Sequence, residues 1–575
     1  MKKILLVVCS LFFVLGAAGA SEPPGILSDN DAEIYQQIFS LQSKEKIDAA
    51  IKLDKQLTDD LLMNEVLYQR YTSKTYRTKG AEVQAWMTKY YNMPGAERME
   101  KLGKIKKVST RGAKMPRTIN GKSIETAQSE TWTAKKYAGD AEKKINQFKK
   151  AIRTGSTKIA RNLLEERAFK SKLTESDYGR LAGRLSFIYY TNGEYELAKK
   201  WGFVAADAKS EYGLWAMGLL YFKEEKYKES QKYFSEILKL EQINDARKTE
   251  VAFWAGRAAE RNDDKKSARK YWKIGAEHPM AFYGALSSVM LGYVPYYEFF
   301  EADSTDADIE ELRGTKYGRR ALALLQVKQK ARAEEYMKLL ITSGASDKLL
   351  HAVNSVAENY ALPRVSMQVA GVVRDRGIME IDSDIIYSAQ YPLPDWEPLG
   401  GWSIDRALLF AITRQESGFK TNAKSVVGAN GVMQLMPGTA KRLVARQQNM
   451  RMSDIDMSNP EHNMFLGQQH IVDLLAHPNI SNNIVKMLAS YNAGMGMMIK
   501  FEKAFDTSDP LLYIESFPAY ETRGYIKRVM SNLWLYRAKL EQPLTTMRDL
   551  ADGKWPLYSS EDDYVQKQIA DRLSI

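Results

Sequence analysis

The chain has 575 residues, 44% of them hydrophobic and 11% aromatic, and a net charge of +12. That length fits several domains or one extended array, and that apolar content excludes a disordered chain. A single cysteine, Cys9, excludes a disulfide framework.

The first element read from the N-terminus is a secretory signal. Lys2 and Lys3 form a short basic region, and a 14-residue apolar run follows, Ile4 to Ala17. That run is shorter than the roughly 20 residues of a bilayer span. Ala18, Gly19 and Ala20 supply small residues for cleavage, so the sequence predicts removal of residues 1–20 and export. Removal would take Cys9 with it and leave a net charge of +10. Cys9 lies too early, behind Val8, for lipid attachment. An exported, basic chain is compatible with anionic polymers such as cell-wall glycan, with lipid head groups or nucleic acid, or with a merely solvated basic surface.

From residue 28 to about 385 the pattern predicts helices nearly throughout. A weak repeat runs through it: "YELAKKW" (195–201), "YKESQKY" (227–233) and "KKSARKY" (265–271) are 32 and 38 residues apart, and "KARAEEY" (330–336) follows 65 residues later. Small residues at Ala198, Ser230, Ala268 and Ala333 allow paired helices to approach closely. This pattern resembles tetratricopeptide-type hairpins, which stack because one hairpin cannot bury its own apolar face. The Tyr and Trp residues of this region read as core. Residues 101–122 carry eight Lys or Arg and no acid, and are expected to be a solvated loop, with contact to anionic glycan or membrane as the alternative.

Pro and Gly in "YPLPDWEPLGGW" (391–402) mark a linker. The division expected is a signal at 1–20, helical hairpins at 21–390, the linker at 391–402, a compact helical block at 403–540 and a polar tail at 541–575. Residues 395–545 are expected to fold by themselves.

The block carries the chemistry. Ser403 is expected to cap a helix with Asp405 in its first turn. On that helix Leu409, Ile412 and Glu416 share one face, and Gly418 ends it. Glu416 thus extends an apolar stripe, and the next 37 residues hold no Asp or Glu. Such a carboxyl should be hard to ionise, as a general acid at a glycosidic oxygen must be. The alternative is a surface glutamate paired with Arg414 or Lys420. In "VGANGVMQLMPGTA" (427–440), Gly428, Gly431 and Gly438 permit close backbone approach to a ligand, and Gln434 offers an amide to sugar groups. "NPEHNMFLGQQHIVDLL" (459–475), "ASYNAGMG" (489–496) and "FPAYETRGYIKRV" (517–529) follow.

In this order the motifs resemble the catalytic domain of the bacterial soluble lytic transglycosylases, over residues 400 to 535. "HPMAFYGALS" (278–287) resembles a motif in their helical part. The resemblance implies an all-α chain, a superhelix of hairpins followed by a lysozyme-like domain. It also implies non-hydrolytic cleavage of the MurNAc–GlcNAc β-1,4 bond of peptidoglycan. Glu416 would be the single acid/base. Ser417, Met433, Gln434, Met436, Tyr491, Asn492 and Glu521 would bind the glycan or orient the catalyst. Val432, Ser490 and the pair His470-Ile471 depart from the usual pattern. Met433 and Met436 read equally well as core, and Tyr491 as a tyrosine bonded to backbone. No cofactor is expected, and the five His form no cluster at metal spacing. Expected partners are peptidoglycan strands and cell-wall synthesis or remodelling proteins. Nucleic acid and an integral membrane segment are not expected. A goose-lysozyme-like hydrolase and a non-catalytic glycan-binding scaffold remain as alternatives.

Overall fold

The computed structural model describes residues 25–120, 137–241, 243–299, 303–377, 388–448 and 450–562. The signal at 1–20 lies outside them. Among the described residues the secondary structure is helical, with only isolated β-bridges. No described helix is long and apolar enough to cross a membrane.

Two compact units divide the chain, and each is built from two separate stretches. The first unit joins Met1–Ser123 to Phe299–Pro394. Its apolar core draws Tyr35, Ile38, Trp86 and Met87 together with Leu322, Tyr336, Val353 and Val369. Gln326 closes it by accepting from the amides of Ile26 and Leu27 (3.1 and 2.8 Å) and donating to the Leu27 carbonyl (2.9 Å). The basic stretch read as a loop belongs here, with one correction. Residues 101–105 finish a helix, Ala96–Ile105. The irregular part beyond is anchored: the Lys114 amide donates to the Tyr91 carbonyl (3.0 Å), and the Arg111 guanidinium lies over the Tyr91 ring at 3.3 Å. Residues 121 and 122 lie outside the described residues.

The second unit joins Ile124–Glu298 to Asp395–Ile575. Its first stretch is the hairpin array: Glu175–Thr191 with Tyr195–Asp207, Glu211–Lys223 with Tyr227–Ile237, and Asp245–Arg261 with Lys265–Gly275. Each repeated motif starts the second helix of its pair. Ala198, Ser230 and Ala268 are buried at the crossings, where Gly218 lies under the Phe234 ring and Gly256 under the Trp272 indole. One turn recurs. Gly193, Glu225 and Asp263 take positive φ (78°, 58° and 58°), and the next amide reaches back to Tyr189, Tyr221 and Ala259 (2.8, 2.9 and 2.9 Å). This is the left-handed helix stop with its six-residue closing bond. The fourth motif begins Lys330–Lys338 with the same turn at Lys328, but it belongs to the first unit. Sequence period therefore does not follow unit membership.

The array and the block share a core. Arg257 pairs with Asp509 (2.7 Å), the Tyr283 hydroxyl donates to Glu515 (2.6 Å), and Tyr190 bonds Ser516 (2.7 Å). Phe282 stacks on Trp534 at 5.2 Å. Lys527, buried, joins Glu250 of the array to Glu515 of the block. After Gln542 the chain forms a further helix, Thr545–Ala551, and runs back to Asp405 and Arg406. Partners of buried charges in 403–540 thus lie on both sides of that span.

Candidate active site

The helix that presents Glu416 is Arg406–Ser417. Its N-cap is Asp405, not Ser403, and the Asp405 side chain makes no capping bond. The Asp405 carboxylate is taken up by Arg537, Ser560 and the Glu561 amide instead. The Ser403 amide is held by Gln468 (2.9 Å). Ala407 through Thr413 are buried, so the helix is fixed on most of its circumference. At its end Gly418 and Phe419 both take positive φ (54° and 63°). This reversal drives Phe419 into the core against Phe410 and Trp396 and leaves Glu416 at the rim of the packed region.

The glycine loop is closed by paired bonds between Asn430 and Leu435 (3.0 Å each) and by the Gly431 amide on Ala423 (3.0 Å). Asn463, fully buried, organises it. Its oxygen accepts from the Met433 amide (2.8 Å) and its nitrogen reaches the Asn430 and Met457 carbonyls (3.2 and 3.3 Å). A Cβ at Gly431, whose φ is 77°, would run into that amide. Gln434 also takes positive φ (48°), and its side-chain nitrogen donates to the Gly431 carbonyl (2.8 Å). A non-glycine residue there costs about 1 kcal/mol or more and persists only because the loop around it is over-determined.

Two further helices complete the site. Ile484–Ala493 carries Tyr491 and Asn492, and Tyr520–Lys539 carries Glu521, Tyr525 and Arg528 on one face. The rings of Tyr491 and Tyr525 lie 6.4 Å apart and nearly parallel, at 7°. The Tyr491 hydroxyl donates to the Met433 carbonyl (2.9 Å), so Tyr491 is indeed bonded to backbone, while its ring faces the site. His470 packs on the same ring at 5.3 Å. The Tyr525 hydroxyl is buried beside the Glu416 carboxyl and acts on it as a donor.

Burial pushes the Glu416 carboxyl up to about 7; the negative charge of Glu521 adds to the rise, while Tyr525 and Arg528 oppose it without cancelling it. Tyr491 and Tyr525 are pushed well above the ordinary phenol range, by burial first and then by Glu416, so both are neutral. Burial, with help from Arg442, lowers His470 to about 4, so it is uncharged as well. Of the two cations offered as surface partners for Glu416, Arg414 bonds Asn532 (3.1 Å). A carboxyl protonated up to about pH 7 can hand over its proton and take one back.

The other predicted residues divide. Asn492 accepts from the Thr522 hydroxyl (2.6 Å), beside the site. Ser417 donates to the Thr413 carbonyl (3.2 Å). Met436 is 43% exposed on the loop and Glu521 is exposed near Glu416. The Met433 side chain is fully buried against Gly467, and only its backbone meets the site. Sequence reasoning missed Tyr525 and Asn463. The signal for Tyr525 was its position four residues after Glu521, on the same helix face. Among the described residues no His, Cys, Asp and Glu cluster could hold a metal.

The geometry defines an all-α domain with one half-buried carboxyl, Glu416, pushed up to about 7. Residues 398–513 match the family model of the transglycosylase SLT domain. Curated relatives include the soluble lytic murein transglycosylase of Salmonella typhimurium, 33% identical over 163 residues, 27% of this chain and 24% of the relative. That of Escherichia coli K12 is 34% identical over 139 residues, 24% of this chain and 21% of the relative. The match thus spans about a quarter of the relatives' length. The crystal structure of the 70 kDa soluble lytic transglycosylase of Escherichia coli is similar in fold (TM-score 0.52, 16% identity, 93% of this chain and 99% of that one). So is the lytic transglycosylase Slt of Pseudomonas aeruginosa, solved as an inactive mutant (TM-score 0.51, 18% identity, 90% and 88%). The all-α architecture of hairpins ahead of a lysozyme-like block is shared with both.

Proposed function

We propose that this chain is a lytic transglycosylase of peptidoglycan, exported to the periplasm after loss of residues 1–20. It cleaves the MurNAc–GlcNAc β-1,4 bond without water. One observation carries the reading: Glu416, a half-buried carboxyl pushed up to about 7, lies within the segment that matches the SLT domain family.

Glu416 gives its proton to the glycosidic oxygen as the bond from C1 breaks. The N-acetyl carbonyl oxygen of the same MurNAc bonds to C1 and takes the place of a second protein carboxylate, the substrate-assisted route. The C6 hydroxyl oxygen then attacks C1, the bond to the acetamido oxygen breaks, and the hydroxyl proton returns to Glu416. The product ends in a 1,6-anhydro ring and the catalyst is restored. Tyr525 and Tyr491 are the neutral groups beside Glu416. Ser417, Gln434, Met436, Asn492 and Glu521 line or orient the glycan side, and Met433 contributes through its carbonyl. The hairpin array positions long strands. No cofactor takes part.

The test is the mass of muropeptides released from purified sacculi. Products lighter by one water than lysozyme products support the reading. Ordinary reducing ends would make the protein a hydrolase, and no release would leave a glycan-binding scaffold.

A further inference from the structure

Three helices present Glu416, Tyr491 and Tyr525, and one short segment beyond the family match touches all three. Residues 555–562 begin with Trp555, packed on Tyr513 at 5.2 Å and under the Lys486 ammonium at 5.3 Å. They then pair with the start of the Tyr491 helix. The Ile484 amide donates to the Pro556 carbonyl (3.0 Å), the Tyr558 amide to the Asn482 carbonyl (2.8 Å), and the Asn482 side chain to the Tyr558 carbonyl (2.6 Å). Asn483, between them, is the N-cap of Ile484–Ala493.

The same segment seizes the start of the Glu416 helix. Asp405 is fully buried. One of its oxygens accepts from the Ser560 hydroxyl (2.7 Å) and the Tyr558 hydroxyl (3.4 Å). The other accepts from the Glu561 amide (3.1 Å) and from Arg537 (3.3 Å). The Asp405 amide donates to the Tyr558 hydroxyl (3.1 Å), and Arg406 pairs with the buried Asp562 (2.7 Å). Arg537, on the Tyr525 helix and fully buried, donates to the Ser559 carbonyl (3.1 Å).

These ties sit at the far ends of the helices from the chemistry. At 1.5 Å per residue the rods carry them about 15 Å to Glu416 and about 10 Å to Tyr491. A helix transmits a shift at one end to the other, and misplacing a reacting group by about 1 Å can cost about 10²-fold in rate.

We propose that residues 555–562 are a positioning strap, which holds the Glu416, Tyr491 and Tyr525 helices in register and thereby sets the turnover of the site. The strap touches no substrate, and the proposal rests on the reading of the site given above.

The test uses the full chain with S560A, D562N and D562E, measuring turnover on purified sacculi per folded molecule. The expected result is a fall in kcat of about 10-fold in D562N and S560A with KM within about 2-fold, because binding surfaces are untouched. D562E should recover most of the loss by restoring the pair with Arg406. Amide hydrogen exchange supplies a readout independent of activity: residues 406–417 and 484–493 should lose protection together in D562N and S560A. Unchanged kcat with a lowered melting temperature would overturn the proposal and leave a merely structural segment. Loss of protection in one helix alone would overturn it too. If the wild type releases no product, the functional reading fails, and hydrogen exchange still decides whether the strap couples the helices.

Discussion

Two sites in the second unit hold carboxyls away from water, and Glu250 in one and Glu416 in the other are treated in opposite ways. Burial pushes the Glu250 carboxyl up, but Lys527 and then Arg247 more than offset it and hold it at about 2. Glu515, which shares Lys527 with Glu250, also has the Tyr283 hydroxyl as a donor. Burial and the neighbouring Glu250 nonetheless raise it. In that cluster Coulomb attraction and hydrogen bonds from Lys527 and Arg247 answer the desolvation of Glu250, while Glu515, which shares Lys527, stays raised. Glu416 has no such partner. The uncharged Tyr525 hydroxyl beside it and the Arg528 charge oppose the rise without cancelling it. The first group stabilises the join between array and block. The second keeps a proton available at neutral pH. A buried acid is therefore a candidate for chemistry where compensation is withheld, and burial alone does not distinguish the two.

The comparison can be broken most severely at Glu416 itself. Glu416→Gln should keep the fold and lower release of product by about 10²–10⁴-fold, the worth of one positioned acid/base. It should also change the pH dependence of stability. The folded pKa is about 7 against an ordinary 4.5, so the folded state holds the proton more tightly. Stability from this group is complete below pH 4.5 and is lost as pH rises through about 7. Urea unfolding should find Glu416→Gln more stable than wild type at pH 8, on the order of 1–3 kcal/mol, with the difference vanishing near pH 4. Wild-type activity should fall on the alkaline side of about 7.

Lys527→Met attacks the compensated group. It strands Glu250 and Glu515 without their shared cation, and should cost about 3–5 kcal/mol in urea unfolding at pH 7. A smaller effect is expected from Tyr525→Phe. It removes the donor nearest Glu416, so kcat should fall about 10-fold, and the alkaline limb of the pH profile should move upward. Smallest is Glu521→Gln. Removing a like charge should move that limb downward by less than about one unit, and by less still in high salt, because Glu521 is exposed. An upward shift would mean that Glu521 does not act on Glu416 through its charge.

How far the sequence discloses this depends on how local each feature is. The Glu416 helix, its apolar stripe and its stop at Gly418 follow from periodicity and one glycine. The array shows through its repeat, although Glu225, Asp263 and Lys328 occupy left-handed turn positions where glycine would have announced the turn. The helix start at Asp405 was misplaced because Asp405 spends its carboxylate on residues 132 to 156 positions away. Tyr525 stood in a recognised motif. Its role depends on packing between helices more than a hundred residues apart, which no local pattern records. Met433 shows the converse limit: an apolar residue in a glycine loop reads alike whether it faces ligand or core.

The interleaving of the two units has a kinetic consequence. Each is made of two stretches, with Phe299–Pro394 of the first inserted inside the second. As the chain emerges during synthesis, Glu250 and Arg257 appear more than 250 residues before Lys527 and Asp509. Their half of the interface must wait, charged and apolar surface together, until nearly the whole polypeptide is available. Contacts of such sequence separation slow folding and lengthen the exposure of sticky intermediates. The second unit is thus suited to folding late, with the rim around Glu416 among the last parts to form.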